Sequence, residues 1–259
     1  METTMTKTNR PIALITGGSR GLGRNTALSL ARKGVDVVIT YRSRADEAQA
    51  AVAEIEAAGG RAAALQLDTG ALATFPAFVE ALKRTLSETW QRDRFDFLVN
   101  NAGTGLRKAI AETTEDEFDA LMNIHLKGVF FLTQALLPLI ADDGRIINIS
   151  SGLARFSVPG SAAYAMMKGG IEVFTRYLAK ELGARRITAN TVAPGAIATD
   201  FNGGHVRDDA DINRMVAGVT ALGRAGVPDD IGPMIASLLS QDNRWVNAQR
   251  IEASGGMNI

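Results

Sequence analysis

The chain of 259 residues contains no cysteine. Disulfides, thiol nucleophiles and cysteine-held zinc are therefore excluded, while the redox compartment stays open. Histidine occurs only as His125 and His205. With no HExxH pattern either, no catalytic metal is expected, and each histidine reads as a structural residue. Net charge is absent: 28 Lys plus Arg oppose 28 Asp plus Glu. Nucleic acid is not an expected partner, because phosphate backbones require a basic excess. Long apolar runs are missing as well. The most apolar stretch, residues 129–140, is interrupted by Thr133, Gln134 and Pro138 and is too short to span a bilayer. Residues 1–10 are polar and Thr-rich, unlike a signal peptide. The sequence thus predicts a cytoplasmic protein with no membrane partner.

With 46% hydrophobic and 22% charged residues, the chain can build one large α/β domain or two small ones. Apolar strand-like runs lie at residues 11–16, 35–40, 61–67, 95–99, 144–149, 187–192 and 249–253. Between them the pattern predicts helices, long ones at 114–140 and 161–182 and another at 228–239. There is no repeat and no break in composition. The alternation predicts an α/β fold: a single-domain, doubly wound parallel sheet (a Rossmann fold) of about seven strands with helices on both faces. A polar tail at 1–10 and a domain at 11–259 follow, with a Gly-containing substrate loop at about 196–227. Ligands in such sheets bind outside the carboxyl ends of the strands, where Gly17, Asn100, Ser150, Ser151 and Pro194 all fall.

After the first strand comes Thr16-Gly17-Gly18-Ser19-Arg20-Gly21-Leu22-Gly23. Glycines here let the backbone approach a pyrophosphate resting on a helix N-terminus, although the spacing is not GxGxxG. Farther on, Tyr164 and Lys168 stand four apart in a helical stretch, on one face. An ammonium favours a phenolate and would let the tyrosine work as an acid or base. Taken alone, such a pair is most often a surface contact.

The motifs together resemble the short-chain dehydrogenase/reductase family, with its TGxxxGxG turn and YxxxK pair, from residue 12 to residue 256. Asn100-Asn101-Ala102-Gly103 matches the family's NNAG, Ser151 stands thirteen residues before Tyr164, and Pro194-Gly195 with Thr199 matches PGxxxT. The resemblance implies catalysis by Asn123, Ser151, Tyr164 and Lys168. Tyr164 would be the acid or base, Lys168 would lower its pKa and hold ribose hydroxyls, and Ser151 would bond the substrate oxygen. Asn123 would anchor a water in a proton relay. Ser150 is the alternative serine, and the spacing favours Ser151. The implied dinucleotide site comprises Thr16, Gly17, Ser19, Arg20, Gly21, Leu22 and Gly23 of the turn, with Tyr41, Arg42, Ser43 and Asp68. It continues through Asn100, Ala102, Gly103, Tyr164, Lys168, Pro194, Gly195, Ile197 and Thr199. No acid stands at the end of the second strand, where Tyr41-Arg42-Ser43-Arg44 follows, so the expected cofactor is NADP rather than NAD.

The resulting expectation is an NADP(H)-dependent oxidoreductase interconverting a small-molecule carbonyl and a secondary alcohol. The alternatives are a 3-oxoacyl-carrier-protein reductase and, in a different class, an NADP(H)-binding sensor without turnover. Specificity is expected from loops at 104–108, 152–160 and 196–227. A homotetramer is expected from the resemblance. Ala253-Ser254-Gly255-Gly256 and Asn247-Ala248-Gln249 depart from the family's usual Asp-Gly-Gly and Thr-Gly-Gln.

Overall fold

The computed structural model of the chain describes residues 10–259. Its strands are β1 (Ile12–Ile15), β2 (Asp36–Tyr41), β3 (Ala62–Gln66), β4 (Phe95–Asn100), β5 (Ile140–Ile149), β6 (Thr188–Pro194) and β7 (Arg250–Ala253). The helices are α1 (Gly21–Arg32), α2 (Ala45–Ala57), α3 (Phe75–Thr85), α4 (Glu115–Met122), α5 (Gly128–Leu136), α6 (Ala162–Glu181), α7 (His205–Asp208), α8 (Ala210–Gly218) and α9 (Gly232–Leu238). The seven strands pair in parallel in the order β3-β2-β1-β4-β5-β6-β7. Strand order reverses between β1 and β4, which opens a crevice at their carboxyl ends.

Both sheet faces are buried, which is why the strands read as near-continuous apolar runs. Leu14, Leu98 and Ile146 point to one side, against Phe78, Leu82, Leu132, Leu136 and Leu178. Ile15, Ile39, Val99 and Ile147 point to the other, against Leu30, Ile55 and Ile235. Both clusters follow from period-2 alternation on strands and apolar stripes on helices.

Three features differ from the sequence pattern. Arg10 belongs to the domain rather than to a tail, since its guanidinium donates to the Gly34 carbonyl at 2.9 Å and pairs with buried Asp36. The rest of the expected tail lies outside the described residues. The helix expected at 114–140 is divided by a wide π-turn at Asn123–Lys127, and Ile140 already opens β5. A left-handed Asp143 (φ 63°) then shifts the β4–β5 register between Phe95 and Phe97. The expected substrate loop is largely helical: it carries α7 and α8 and is zipped at its base by an Ile197–Gly226 bridge.

The segment Glu115–Leu139 is long and apolar enough to cross a membrane by length and composition alone. Its residues Leu121, Val129, Leu132 and Leu136 are buried in the protein, while Phe130 and Phe131 stand exposed.

Candidate active site

A cleft of about 850 Å³ runs along the carboxyl ends of the strands, from the turn after β1 to the end of β6. At one end the backbone of residues 17–23 bends back on itself. Gly17 has φ +66°, and a Cβ there would lie 2.9 Å from the Ala102 Cα. A Cβ on Gly21 would meet only Thr199, no nearer than 3.8 Å, so bare backbone faces the cleft. The N-terminus of α1 carries no side-chain cap and no acid in its first turn. Uncapped amides with their helix dipole suit a pyrophosphate.

Thr16 and Gly23 serve this turn from behind. Thr16 Oγ1 accepts from the amides of Asn101 and Ala102, both at 3.0 Å, clipping the β4 end to the β1 end. A Cβ on Gly23 would sit 2.3 Å from the Gly17 carbonyl oxygen and 2.5 Å from Asn101 Nδ2. Overpacking against backbone costs roughly 1–3 kcal/mol. Gly23→Ala is therefore expected to lower Tm by several degrees, roughly 2–4 °C per kcal/mol at this size. A thermal melt reads this directly, and an unchanged Tm would show that the turn relaxes freely.

Arg20 and Arg42 line the next part of the cleft, exposed and without a carboxylate partner among the described residues. Arg44 also lines it but is paired with Glu47, which reaches the cleft from the first turn of α2. Arg24 is bound to Glu54 outside the cleft. Ser19, Leu22, Tyr41, Ser43, Asp68, Ala102 and Gly103 complete this half. Asp68 Oδ1 accepts from the Gly70 amide at 2.8 Å.

The other half holds Ser151, Tyr164 and Lys168. Lys168 is buried, and its Nζ donates to the Ile149 carbonyl at 2.8 Å and sits 5.5 Å from the Tyr164 ring centroid. Burial pushes the Lys168 ammonium down to about 8. Burial also pushes the Tyr164 phenol up, against the lowering expected from the lysine alone. In the protein by itself, then, burial sets the direction and the phenol is protonated at neutral pH. Among the described residues its hydroxyl has no hydrogen-bond partner, and it faces the cleft. Ser151 lines the cleft, its Oγ accepting from the Leu153 amide at 3.2 Å. Ser150 instead gives its hydroxyl to Glu172 at 2.7 Å and is spoken for. Pro194, Gly195, Ile197 and Thr199 close the far side, with Thr199 Oγ1 accepting from the Phe201 amide at 3.2 Å.

A family model described as enoyl-(acyl carrier protein) reductase matches residues 17–258. The chain belongs to the short-chain dehydrogenase/reductase family. An uncharacterized oxidoreductase of Methylorubrum extorquens is 39% identical over 98% of this chain and 100% of its own. The hydroxynaphthalene reductase-like protein Arp2 of Metarhizium brunneum is 37% identical over 95% of this chain and 94% of its own. Among solved structures, the angucycline C-6 ketoreductase LanV with bound NADP superposes with a TM-score of 0.91 at 36% identity, covering 96% of this chain and 95% of that one. LanV has also been solved with NADP and rabelomycin.

Two side chains assigned from the short-chain dehydrogenase/reductase pattern lie elsewhere. Asn123 does not line the cleft. Its carbonyl closes the π-turn by accepting the Gly128 amide. The residues that this turn presents to the cleft are Ile124 and His125, the latter 1% exposed, with its ring at 85° to that of Tyr164 and 5.2 Å away. His125 Nε2 meets both polar groups of Thr104, lying 2.6 Å from its carbonyl oxygen and 3.1 Å from its amide nitrogen. Nδ1 is buried without a partner, and burial together with the Lys168 charge pushes the imidazole down to about 3. The ring is therefore neutral. Asn100 likewise turns away from the cleft: its Nδ2 donates to Asn148 at 2.8 Å and Thr133 at 3.1 Å in the core. Its neighbour Asn101 faces the cleft and holds the Thr16 and Gly17 carbonyls. Side-chain alternation along β4 carries the signal that separates the two asparagines. The π-turn gives no comparable sign, although a Cβ on Gly128 would strike the Thr69 carbonyl at 2.0 Å.

The rest of the cleft sets apolar and aromatic side chains beside Arg107, Asp200, Asn202 and His205. Leu106, Leu153, Phe156, Phe201, Ile212 and Met257 line it, with the Phe201 ring 6.1 Å from that of Tyr164. Asn202 of the helical flap packs over Gly105, closing the two walls together. Met257 comes from a segment that the sequence pattern did not single out.

Proposed function

We propose that the chain reduces ketones carried on fused or aromatic rings to secondary alcohols with NADPH, using Tyr164 as the proton donor. The observation that carries the reading is the protonated, unpartnered Tyr164 hydroxyl in the same cleft as buried Lys168 and Ser151, beneath an apolar, aromatic wall. The similarity to Arp2 and to LanV supports the ring-ketone class. NADP is favoured by Arg20 and Arg42, which stand ready for a 2′-phosphate while Glu47 is neutralised by Arg44.

The residues of the glycine turn, Asp68, Ala102, Gly103 and the segment from Pro194 to Thr199 would hold the dinucleotide. When bound, the nicotinamide supplies hydride to the carbonyl carbon. Tyr164 gives its hydroxyl proton to the carbonyl oxygen as that oxygen gains charge. Ser151 donates a hydrogen bond to the same oxygen. Lys168 stabilises the phenolate left behind. The apolar wall of Phe156, Phe201 and Met257 excludes water and presents flat surface to a ring.

Stopped assays of NADPH oxidation over a carbonyl panel test this reading. The panel should include tetralones, simple aliphatic ketones and 3-oxoacyl thioesters. Preference for the ring ketones is expected; preference for the thioesters would replace it by the carrier-protein reductase, and tight NADPH binding without turnover by the sensor.

Lys168 sets the pH dependence. Its pKa lies at about 8, below the ordinary lysine value, so the ammonium is present below that pH and lost above it. Reductive kcat/KM is expected to hold steady below pH 8 and then fall about tenfold per unit. A flat profile from pH 7 to pH 10 would rule out the charged lysine as the partner of the phenol.

A homotetramer is also proposed. Phe130, Met166, Val173 and Tyr177 on α5 and α6 are 43%, 63%, 44% and 63% exposed, an apolar face suited to a second copy. Light scattering is expected to give four times the 27.5 kDa chain mass; a monomer would refute the reading.

A further inference from the structure

A chain of charges runs behind the substrate end of the cleft. Glu172 of α6 accepts from Ser150 Oγ and from Arg250 Nε through one oxygen, each at 2.7 Å. Arg250 also donates to Glu252 at 2.8 Å and to the Ser151 carbonyl at 3.3 Å. Arg155, in the loop after Ser151, grips the Glu252 carboxylate with Nε and Nη2, both at 2.7 Å. The same guanidinium reaches the carbonyls of Met257 at 3.0 Å and Asn258 at 3.2 Å. Ser254 joins by donating to Glu252 at 2.9 Å and accepting the Met257 amide at 3.2 Å.

The C-terminal segment is held on its other edge by the end of the flap. The Ala221 and Leu222 amides donate to the Gly256 and Gly255 carbonyls, and the Asn258 amide donates to Val219. Gly255 and Gly256, at φ +64° and +76°, bend the segment so that Met257 lines the cleft. One short segment is thus anchored to both substrate walls. A fork-to-fork Arg–carboxylate pair fixes geometry better than a lysine would. The Glu252 carboxyl is held down to about 2 by Arg155, so the contact persists at neutral pH.

We propose that Arg155 is a positioning residue for substrate choice: through Glu252 and the Met257 and Asn258 carbonyls it seats the C-terminal segment as a wall against which a fused-ring ketone packs and a small ketone does not. The proposal rests on the ring-ketone reading above. It is tested by Arg155→Met, Met257→Ala and the double variant, assayed with 2-tetralone and with cyclohexanone. Arg155→Met is expected to raise KM for 2-tetralone about tenfold with kcat nearly unchanged, the signature of lost binding rather than lost chemistry. For cyclohexanone kcat/KM should stay the same, as should NADPH affinity. The double variant should be no worse than Met257→Ala, because Arg155 acts through that wall. Equal losses on both ketones, or additive losses in the double variant, would overturn the proposal. Should Arg155→Met fail to fold, Glu252→Gln must give the same shift in substrate ratio. Backbone amide exchange at residues 257–258 gives a readout without substrate and is expected to accelerate in Arg155→Met. If the parent protein reduces neither ketone, the ring-ketone reading fails, and unchanged exchange would then overturn the clamp on its own.

Discussion

Tyr164→Phe is expected to lower the rate of NADPH-dependent ketone reduction by about a thousandfold or more, within the usual range for loss of a positioned acid. The variant removes one oxygen atom. The ring keeps its edge contact with His125 at 5.2 Å and its neighbour Phe201 at 6.1 Å. Among the described residues the hydroxyl bonds to nothing in the protein, so its loss leaves no partner unsatisfied. Stability should therefore be preserved, and NADPH should bind within about twofold of the parent, since the phenol supplies little of the dinucleotide site. Single-turnover kinetics with saturating NADPH separate the two quantities. A Phe variant that retains a tenth of the parent rate would mean that another group donates the proton. Ser151 would then be the next candidate, as a second hydroxyl that lines the cleft.

Arg42→Asp is expected to reverse cofactor preference. Arg42 is exposed and without a carboxylate partner among the described residues, and it lines the cleft beside Ser43. A hydrogen bond to a charged group contributes about 1.5–3 kcal/mol, and a factor of ten corresponds to about 1.4 kcal/mol. Loss of the guanidinium should thus weaken NADPH by roughly tenfold to a hundredfold, and the new carboxylate adds repulsion. The same carboxylate can accept from a ribose 2′-hydroxyl, so NADH should bind better than it does to the parent. Arg44→Ala should do far less, because Arg44 is engaged with Glu47. Titration of both cofactors against the three proteins gives the ratios. An Arg42→Asp protein that still prefers NADPH by the parent's margin would shift the assignment to Arg20.

Much of the architecture could be read from the chain because strands and turns speak locally. The run from Ile12 to Ile15, the glycines after it and the helix with its Ala and Leu positions that follows each carry their own signal, and the sheet needs no more than their repetition. The Tyr164–Lys168 pair was legible for the same reason: it lies within one regular helix, where spacing fixes direction. Asn123 was not, because a π-turn changes the phase of a helix, and only packing of Gly128 against the Thr69 carbonyl betrays it. Asn100 was misread because the alternation along β4 was not followed to its end: Asn100, in phase with the core residue Leu98, turns inward, and Asn101 just beyond the strand meets the cleft. Arg155, Arg250 and Glu252 were invisible as a group, since residues about a hundred positions apart meet only when β7 docks beside β6. The helices α7 and α8 hid in a polar, Gly-containing segment whose apolar positions are few.

The wide turn at Asn123–Lys127 has one further consequence, for what lengths this chain can tolerate. A residue advances an α-helix by about 100°. Deleting one residue from this turn would restore an ordinary helix and swing α4 by that angle relative to α5. The α5 core residues Leu132 and Leu136 could stay in place, while His125 would leave Tyr164 and Leu121 would leave the interior. The flap at 196–227 can gain or lose residues above its Ile197–Gly226 zip without disturbing the sheet. The α4–α5 segment has no such freedom: the extra residue of its turn works as a phase setter that aims His125 into the cleft while Leu121 on one side and Leu132 and Leu136 on the other stay in the core.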